Sequence, residues 1–491
     1  MAPRKTSLFN RLAVGTAISI MALPVAQAAT STVQSISEKD KQEGAKAHPQ
    51  LVEEFGGAET GTQAAYVESV GKNIAVQSGL SNATGDFTVT LLNSPVNNAF
   101  AIPGGYVYST RQLVALMNNE AELAAVMGHE VGHVAARHSA KRQSAATRNA
   151  VIGVLGTLLT GALLGNSGIG QLLQQGFMQG SQLLTLKYSR KQETEADNLG
   201  VQYLTSAGYD PRAMSTVLQS LANQTALEAK LMGTTDRVPE WASTHPDPAS
   251  RVRAALARAG ANAKGKTNRD LFLSKIGGLT YGDDPKQGVV DGRKFTHPFM
   301  KLHFEAPSGF YLVNGTRAVA ISGQSGKGQF TAAAYKGDMD AYIKAAFAAL
   351  TQSGQAQIDP GEITRTTVNG IKAAYATARV NSSSNSQVDV TVFAYELAGD
   401  QAVHFVTVVP AGNTSTFTGM FGSLRRISDA EAAAVKPRKL VVVTVKKGDT
   451  VQSLAQKMAY SDAPLDRFLV LNGLTSSSTV KAGDKVKLVT Y

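Results

Sequence analysis

The stretch Met127-Gly128-His129-Glu130-Val131-Gly132-His133-Val134-Ala135-Ala136-Arg137-His138 constrains this chain more than any other. It contains His-Glu-x-x-His. On an α-helix, His129 and His133 project from one face, one turn apart. Two imidazoles at that spacing can hold one zinc ion, and Glu130, about 100° round the helix, stands beside them as a base for an attacking water. Such a helix needs apolar cover on its other faces. Leu123, Val126, Val131, Val134 and Ala135 supply it, and Asn119 with Glu122 reads as a capping box at its start.

Two neutral imidazoles leave zinc short of a third protein ligand. His138 fails on spacing. The longer three-histidine motif places its third His six residues after the second with a Gly between, and here those positions hold Ser139 and Ala136. On a continued helix His138 also points about 140° away from His133. A second expected helix, Leu183 to Gly208, offers carboxylates instead. Glu193 and Asp197 lie one turn apart on one face, while Glu195 points elsewhere. One carboxylate can ligate the metal. The other can accept a hydrogen bond from the far nitrogen of a ligating imidazole and so orient its ring. Spacing alone leaves Glu193 and Glu195 as alternative ligands, and leaves a solvated acidic face as a third reading.

These residues, with Asn98-Ala99-Phe100-Ala101-Ile102-Pro103-Gly104-Gly105 upstream and Thr244-His245-Pro246 and Arg251 downstream, resemble the signature of a zinc metallopeptidase family. That family includes the CAAX prenyl proteases, the HtpX heat-shock protease and the BepA-type periplasmic proteases. The resemblance covers roughly residues 30–260. It implies a mainly α, zincin-like domain with a small β-sheet and one zinc ion per chain. His129, His133 and Glu193 are the implied metal ligands, with Glu130, Asp197 and His245 as catalytic residues. His245 carries two readings: a helix-capping or core histidine, or a group at the metal that stabilises the oxyanion or plugs the open position. Arg251 is expected to pair with a carboxylate. Asn98 to Ile102 reads either as an ordinary core strand or as a strand edge along which extended substrate lies.

The remaining chain places this site. Its 491 residues suffice for about three domains of roughly 150 residues each. Arg4, Lys5 and Arg11, the apolar run Leu12 to Val25, and Ala26-Gln27-Ala28 read as an export signal spanning residues 1–28. The apolar run is short for the ~20 residues of a membrane span, the alternative reading. Cysteine is absent, which excludes disulfides, thiolate ligands and a lipidated cysteine. The net charge of +11 suits an anionic wall polymer or lipid headgroup, and the export signal argues against nucleic acid. A periplasmic, cell-wall-associated location follows as the expectation.

After the metallopeptidase domain (29–260) and a small, basic linker (261–266), residues 268–430 read as an α+β domain without a titratable cluster. Residues 431–439 read as a second linker. Residues 440–491 resemble a LysM domain, a βααβ module that binds peptidoglycan glycan. Val445-Lys446-Lys447-Gly448-Asp449-Thr450, Leu471-Asn472-Gly473-Leu474 and Lys481-Ala482-Gly483-Asp484 carry that likeness. Tyr460 to Asp466 is irregular for such a module, and aromatics for sugar stacking are few. The stretch 151–180 is either a flap of loosely packed helices or a hairpin that makes peripheral contact with membrane or substrate.

The expectation is therefore a multidomain, exported zinc endopeptidase acting on unfolded or misassembled envelope proteins. Its alternatives are a hydrolase of peptidoglycan cross-links and an assembly chaperone in which cleavage is secondary.

Overall fold

The computed structural model describes residues 36–81, 84–138, 188–232, 245, 248–260, 262–350, 358–381, 387–397 and 400–491. The expected export signal at 1–28, the stretch 151–180, and Thr244 and Pro246 lie outside the described residues.

The first region comprises α1 (Glu38–Glu54), α2 (Thr62–Ala75), β1 (Thr88–Leu92), β2 (Ala99–Ile102), β3 (Tyr106–Thr110), α3 (Arg111–Leu116), α4 (Glu120–Ala135), α5 (Arg190–Ser206), α6 (Ala213–Met232) and α7 (Pro248–Ala259). Thr88 to Leu92 forms β1, which pairs parallel with β3, while β2 pairs antiparallel with β3 and lies at a sheet edge. Gly104 and Gly105 make the β2–β3 turn with φ of 93° and 85°. Only glycine fits there, because a Cβ on Gly105 would sit 2.4 Å from the Asp86 carbonyl oxygen.

Helix α4 carries the His-Glu-x-x-His motif and is buried from Glu120 to His133. Asn119 caps it, its Oδ1 accepting from Glu122 N at 3.0 Å. The reciprocal half of the expected capping box is absent. The Glu122 carboxylate instead accepts from Asn118 N and from Thr216 Oγ1, each at 2.7 Å. It is buried, and a tertiary tie to α6 wins over the local contact.

Residues 268–430 form an antiparallel sheet region. After α8 (Arg269–Ile276) and β4 (Thr280–Tyr281) come β5 (Val289–Asp291), β6 (Lys294–His297), β7 (Leu302–Glu305), β8 (Phe310–Asn314), β9 (Ala318–Gly323), β10 (Gly326–Ala334), α9 (Met339–Ala348), β11 (Thr364–Val368), β12 (Ile371–Asn381), β13 (Gln387–Glu396), β14 (Gln401–Pro410), α10 (Thr418–Ser423) and β15 (Arg425–Arg426). Seven strands run in the order β11-β12-β13-β14-β10-β9-β8. On one face Ile343 and Phe347 of α9 pack with Val390, Val392 and Val406. On the other, Phe330, Phe393 and Phe405 pack with Phe295 and Phe304 of a second sheet, β15-β7-β6-β5. Both faces of β13 and β14 are buried, so Val388 to Tyr395 and Ala402 to Val409 are mostly apolar, with Asp389, Thr391, His404 and Thr407 buried among them.

The last region holds α11 (Asp429–Ala434), β16 (Arg438–Thr444), α12 (Val451–Ala455), α13 (Pro464–Leu471) and β17 (Lys485–Thr490), a βααβ unit. Neither expected linker is loose. Lys266 N donates to Gly208 O at 3.0 Å and Asp210 N to Lys266 O at 3.1 Å, so 266 is pinned beside α5. Residues 431–439 contain α11 and the start of β16, and β4 pairs with β16, so the sheet crosses the expected boundary at 440.

The βααβ unit is welded to the first region. Leu440, Phe468 and Leu488 belong to the same hydrophobic core as Leu123 and Val126 of α4. Lys487, fully buried, points its Nζ at the carbonyl oxygens of Ala115 (2.8 Å), Leu116 (3.1 Å) and Met117 (2.5 Å). These carbonyls end α3, where no helical donor remains for them. Arg269 adds bonds to Asn118 O at 2.6 Å and Lys485 O at 3.1 Å. Replacing Lys487 by Met leaves three buried carbonyls unserved. Urea unfolding of Lys487→Met should show stability lowered by about 3 kcal/mol. An unchanged midpoint would mean that the docking does not depend on this side chain.

Candidate metal centre

The site begins with a close helix pair. Helix α4 presents Gly128 and Gly132 to α5, which presents Ala196 and Gly200. A Cβ on Gly132 would stand 3.1 Å from Ala196 O, and one on Gly200 would stand 3.2 Å from His129 N and 2.5 Å from Met214 Cε. The missing side chains let the two backbones approach.

Helix α5 starts with a complete capping box. Gln192 N donates to Ser189 Oγ at 3.3 Å and Ser189 N to Gln192 Oε1 at 3.0 Å. Glu193 therefore falls in the first turn, where the helix dipole favours a carboxylate.

Four side chains converge from these elements. His133 Nε2 lies 3.0 Å from His129 Nε2, and Glu193 places its oxygens 3.6 Å from His129 Nε2 and 3.4 Å from His133 Nε2. His245 Nδ1 sits 3.2 Å from His129 Nε2 and 3.2 Å from Glu193 Oε1. One donor atom from each of these four residues lies within 4.8 Å of all the others, and all four residues are buried. Three nitrogens and a carboxylate match the ligand types that zinc takes.

Glu130 supplies an independent test of fit. Both its oxygens are buried, and among the described residues neither has a hydrogen-bond partner; Oε1 lies 3.5 Å from His245 Nε2. An unserved buried carboxylate is costly in a site that holds nothing. It suits one that receives a cation and a water.

Asp197 stands behind His129, whose Nδ1–H donates to Asp197 Oδ1 at 3.0 Å. Arg251, from α7, holds that carboxylate with two bonds, Nε to Oδ2 at 2.8 Å and NH2 to Oδ1 at 2.6 Å. Its NH1 reaches Glu193 Oε2 at 2.5 Å. One guanidinium thus aligns both carboxylates.

Electrostatics follow burial and these contacts. Burial pushes the Glu130 carboxyl up, beyond what nearby His245 and His129 offset. Burial would do the same to Glu193 and Asp197. The former is instead held well below the usual carboxylate range by His245 and His133, and the latter is lowered by Arg251 and His129. Burial drives His133 well below the usual imidazole value, keeping it neutral as a ligand must be. Burial lowers His245, but Glu193 and Glu130 outweigh it and raise its pKa.

The structure thus gathers His129, Glu130, His133, Glu193, Asp197 and His245, all of the residues singled out from the sequence. It separates the two candidate glutamates: Glu193 joins the cluster, while Glu195 Oε2 lies 3.2 Å from His138 Nε2. Sequence reasoning missed the place of His138. Helix α4 stops at Ala135, and Arg137 takes the left-handed conformation, φ 53°. This folds His138 back beneath His133 instead of continuing round the helix. No glycine or asparagine marks the turn. Sequence reasoning also missed Tyr188, whose ring stacks on His133 with centroids 3.6 Å apart.

A His-x-x-x-His helix, a carboxylate from the neighbouring helix and an unserved glutamate define a metallopeptidase-type domain. Residues 62–259 match the model of peptidase family M48 and residues 443–489 that of the LysM domain, so the chain carries an M48 peptidase domain followed by a LysM domain. It is 33% identical over 215 residues to a beta-barrel assembly-enhancing protease of Escherichia coli O157:H7, a match covering 43% of this chain and 42% of the relative. It is 34% identical over 197 residues to the protein of that name from Yersinia pestis, covering 40% and 38%. With the mitochondrial metalloendopeptidase OMA1 of Arabidopsis thaliana it shares 36% identity over 167 residues, covering 34% and 30%. The match spans less than half the length of each of these relatives.

Arg251→Met leaves Glu193 and Asp197 buried without their shared cation. Metal-free protein carrying it should unfold in urea with about 4 kcal/mol less stability than the parent. Equal stability would show that the carboxylates are served by other groups.

Proposed function

We propose that the chain is an exported zinc endopeptidase that cleaves unfolded or misassembled envelope proteins, with His129, His133 and Glu193 as metal ligands. The observation that carries this reading is the convergence of these three donors beside the unserved Glu130. Zinc, when bound, supplies Lewis acidity: it polarises the scissile carbonyl and makes a water easier to deprotonate. Glu130 takes the proton from the attacking water and passes it to the leaving amine. Asp197 fixes the orientation of His129, and Arg251 fixes Asp197.

His245 belongs to this reading as a plug. With three protein ligands a catalytic zinc would keep one position open, and the His245 ring, which lies against the other donors and Glu130, is the group that would fill it. Substrate therefore has to displace it. Strand β2 is an edge strand of its sheet, it lies against α4, and among the described residues no strand pairs with its outer side. Its four residues are buried, so an extended substrate that aligned there through main-chain bonds, which read no sequence, would first have to uncover it.

The names of the relatives favour a protein substrate, and the LysM domain favours association with peptidoglycan through residues 440–491 in a periplasmic setting. Among the described residues no helix is long and apolar enough to cross a membrane.

The deciding comparison uses full-length protein and its Glu130→Gln variant on unfolded casein and on purified peptidoglycan, with zinc measured in both. The parent should cut casein. The variant should keep one zinc and lose at least a hundredfold in rate. Release of peptidoglycan fragments by the parent alone would move the activity to wall cross-links. Equal casein cleavage by both would end the mechanism. His245→Ala should raise the casein rate several-fold while zinc is retained, and a fall in rate with zinc retained would assign His245 to the chemistry instead.

A further inference from the structure

The ligating histidines are supported in two different ways. His129 has a carboxylate behind it. His133 has a second histidine: its Nδ1 lies 2.8 Å from His138 Nδ1, and His138 Nε2 lies 3.2 Å from Glu195 Oε2. His138 is fully buried and Tyr188 covers the face of the His133 ring.

The proton positions along this chain follow from its two ends. Glu195, as a carboxylate, accepts, so His138 Nε2 carries hydrogen. His138 Nδ1 is then a lone pair, and it accepts from His133 Nδ1–H. That leaves the lone pair of His133 on Nε2, the atom facing His129 and Glu193. Fixing a ligating imidazole's tautomer and ring angle from behind is how groups outside the ligand set strengthen a metal site.

We propose that His138 is a positioning residue for the metal centre, holding His133 in its ligating tautomer through a Glu195–His138–His133 chain. The proposal rests on the assignment of His133 as a metal ligand. The left-handed Arg137 is part of the device, since it turns His138 back under α4. Glu195 is partly exposed, its side chain 46% accessible, so water can replace much of its contribution. His138 is wholly buried, so water does not readily take its place.

The test is zinc affinity, measured by competition with a chromophoric chelator on full-length protein, with cobalt(II) spectra as a second readout. His138→Phe keeps a ring but offers no acceptor. It should bind zinc roughly ten- to a hundredfold more weakly and shift the cobalt bands. His138→Asn places an amide oxygen near the former Nδ1 position and should recover affinity to within about fivefold of the parent. Glu195→Ala should weaken binding by roughly twofold to fivefold, and it carries the test if the Phe variant does not fold. Parent-like affinity and spectra in His138→Phe would overturn the proposal, as would an Asn variant no better than the Phe variant. A parent that holds no zinc overturns the peptidase reading as well; a parent that holds one zinc while the variants match it overturns this proposal alone.

Discussion

The contact on which the site depends is the backbone approach of α4 to α5 at Gly128, Gly132 and Gly200. Glu193 has a short side chain and sits in the first turn of its helix. It reaches the two imidazoles only because no side chains separate the helices. Everything else at the centre refines that approach. Arg251 pulls both carboxylates of α5 towards α4, and Asp197 gives His129 its angle. The polar chemistry is set by an apolar constraint, the space left by three missing β-carbons.

Much of this centre is legible in the sequence. Histidines one turn apart on a buried helix are geometry, and so is the shared face of Glu193 and Asp197. What was illegible was the point at which helix geometry ceases to apply. Helix spacing places His138 on a continued α4, but the helix ends at Ala135 and an arginine adopts a conformation that residue type does not advertise. Spacing also could not separate Glu193 from Glu195, because that choice depends on how α5 is rotated against α4. In the strand-rich region β13 and β14 are rich in valine and aromatic residues and so carry a strand signal in the sequence. Exposed β11 buries nothing, and the buried positions of β12 from Ala374 to Ala378 are alanines, which signal a strand weakly.

Composition misled at the joints. Small, polar, basic or proline-bearing stretches such as 261–266 and 431–439 have the texture of linkers, yet Lys266 is bonded to both sides of the α5–α6 turn and Arg438 opens a three-stranded sheet. Backbone hydrogen bonds need no apolar side chains, so a segment held by its main chain looks loose in a list of residues. The LysM domain is consequently no pendant module. It completes the core beneath α4 and serves the end of α3 with a buried lysine.

That lysine has a kinetic meaning. Its bond to Ala115 closes a loop of 372 residues, and service of the carbonyls that end α3 waits on it. Contacts so far apart in sequence form late, because the entropy of closing the loop has to be met before they contribute. A nascent chain that has reached the end of α7 has every residue of the proposed metal cluster but lacks the strand that finishes its core. The order of synthesis thus separates possession of the proposed metal-binding groups from completion of the core around α4.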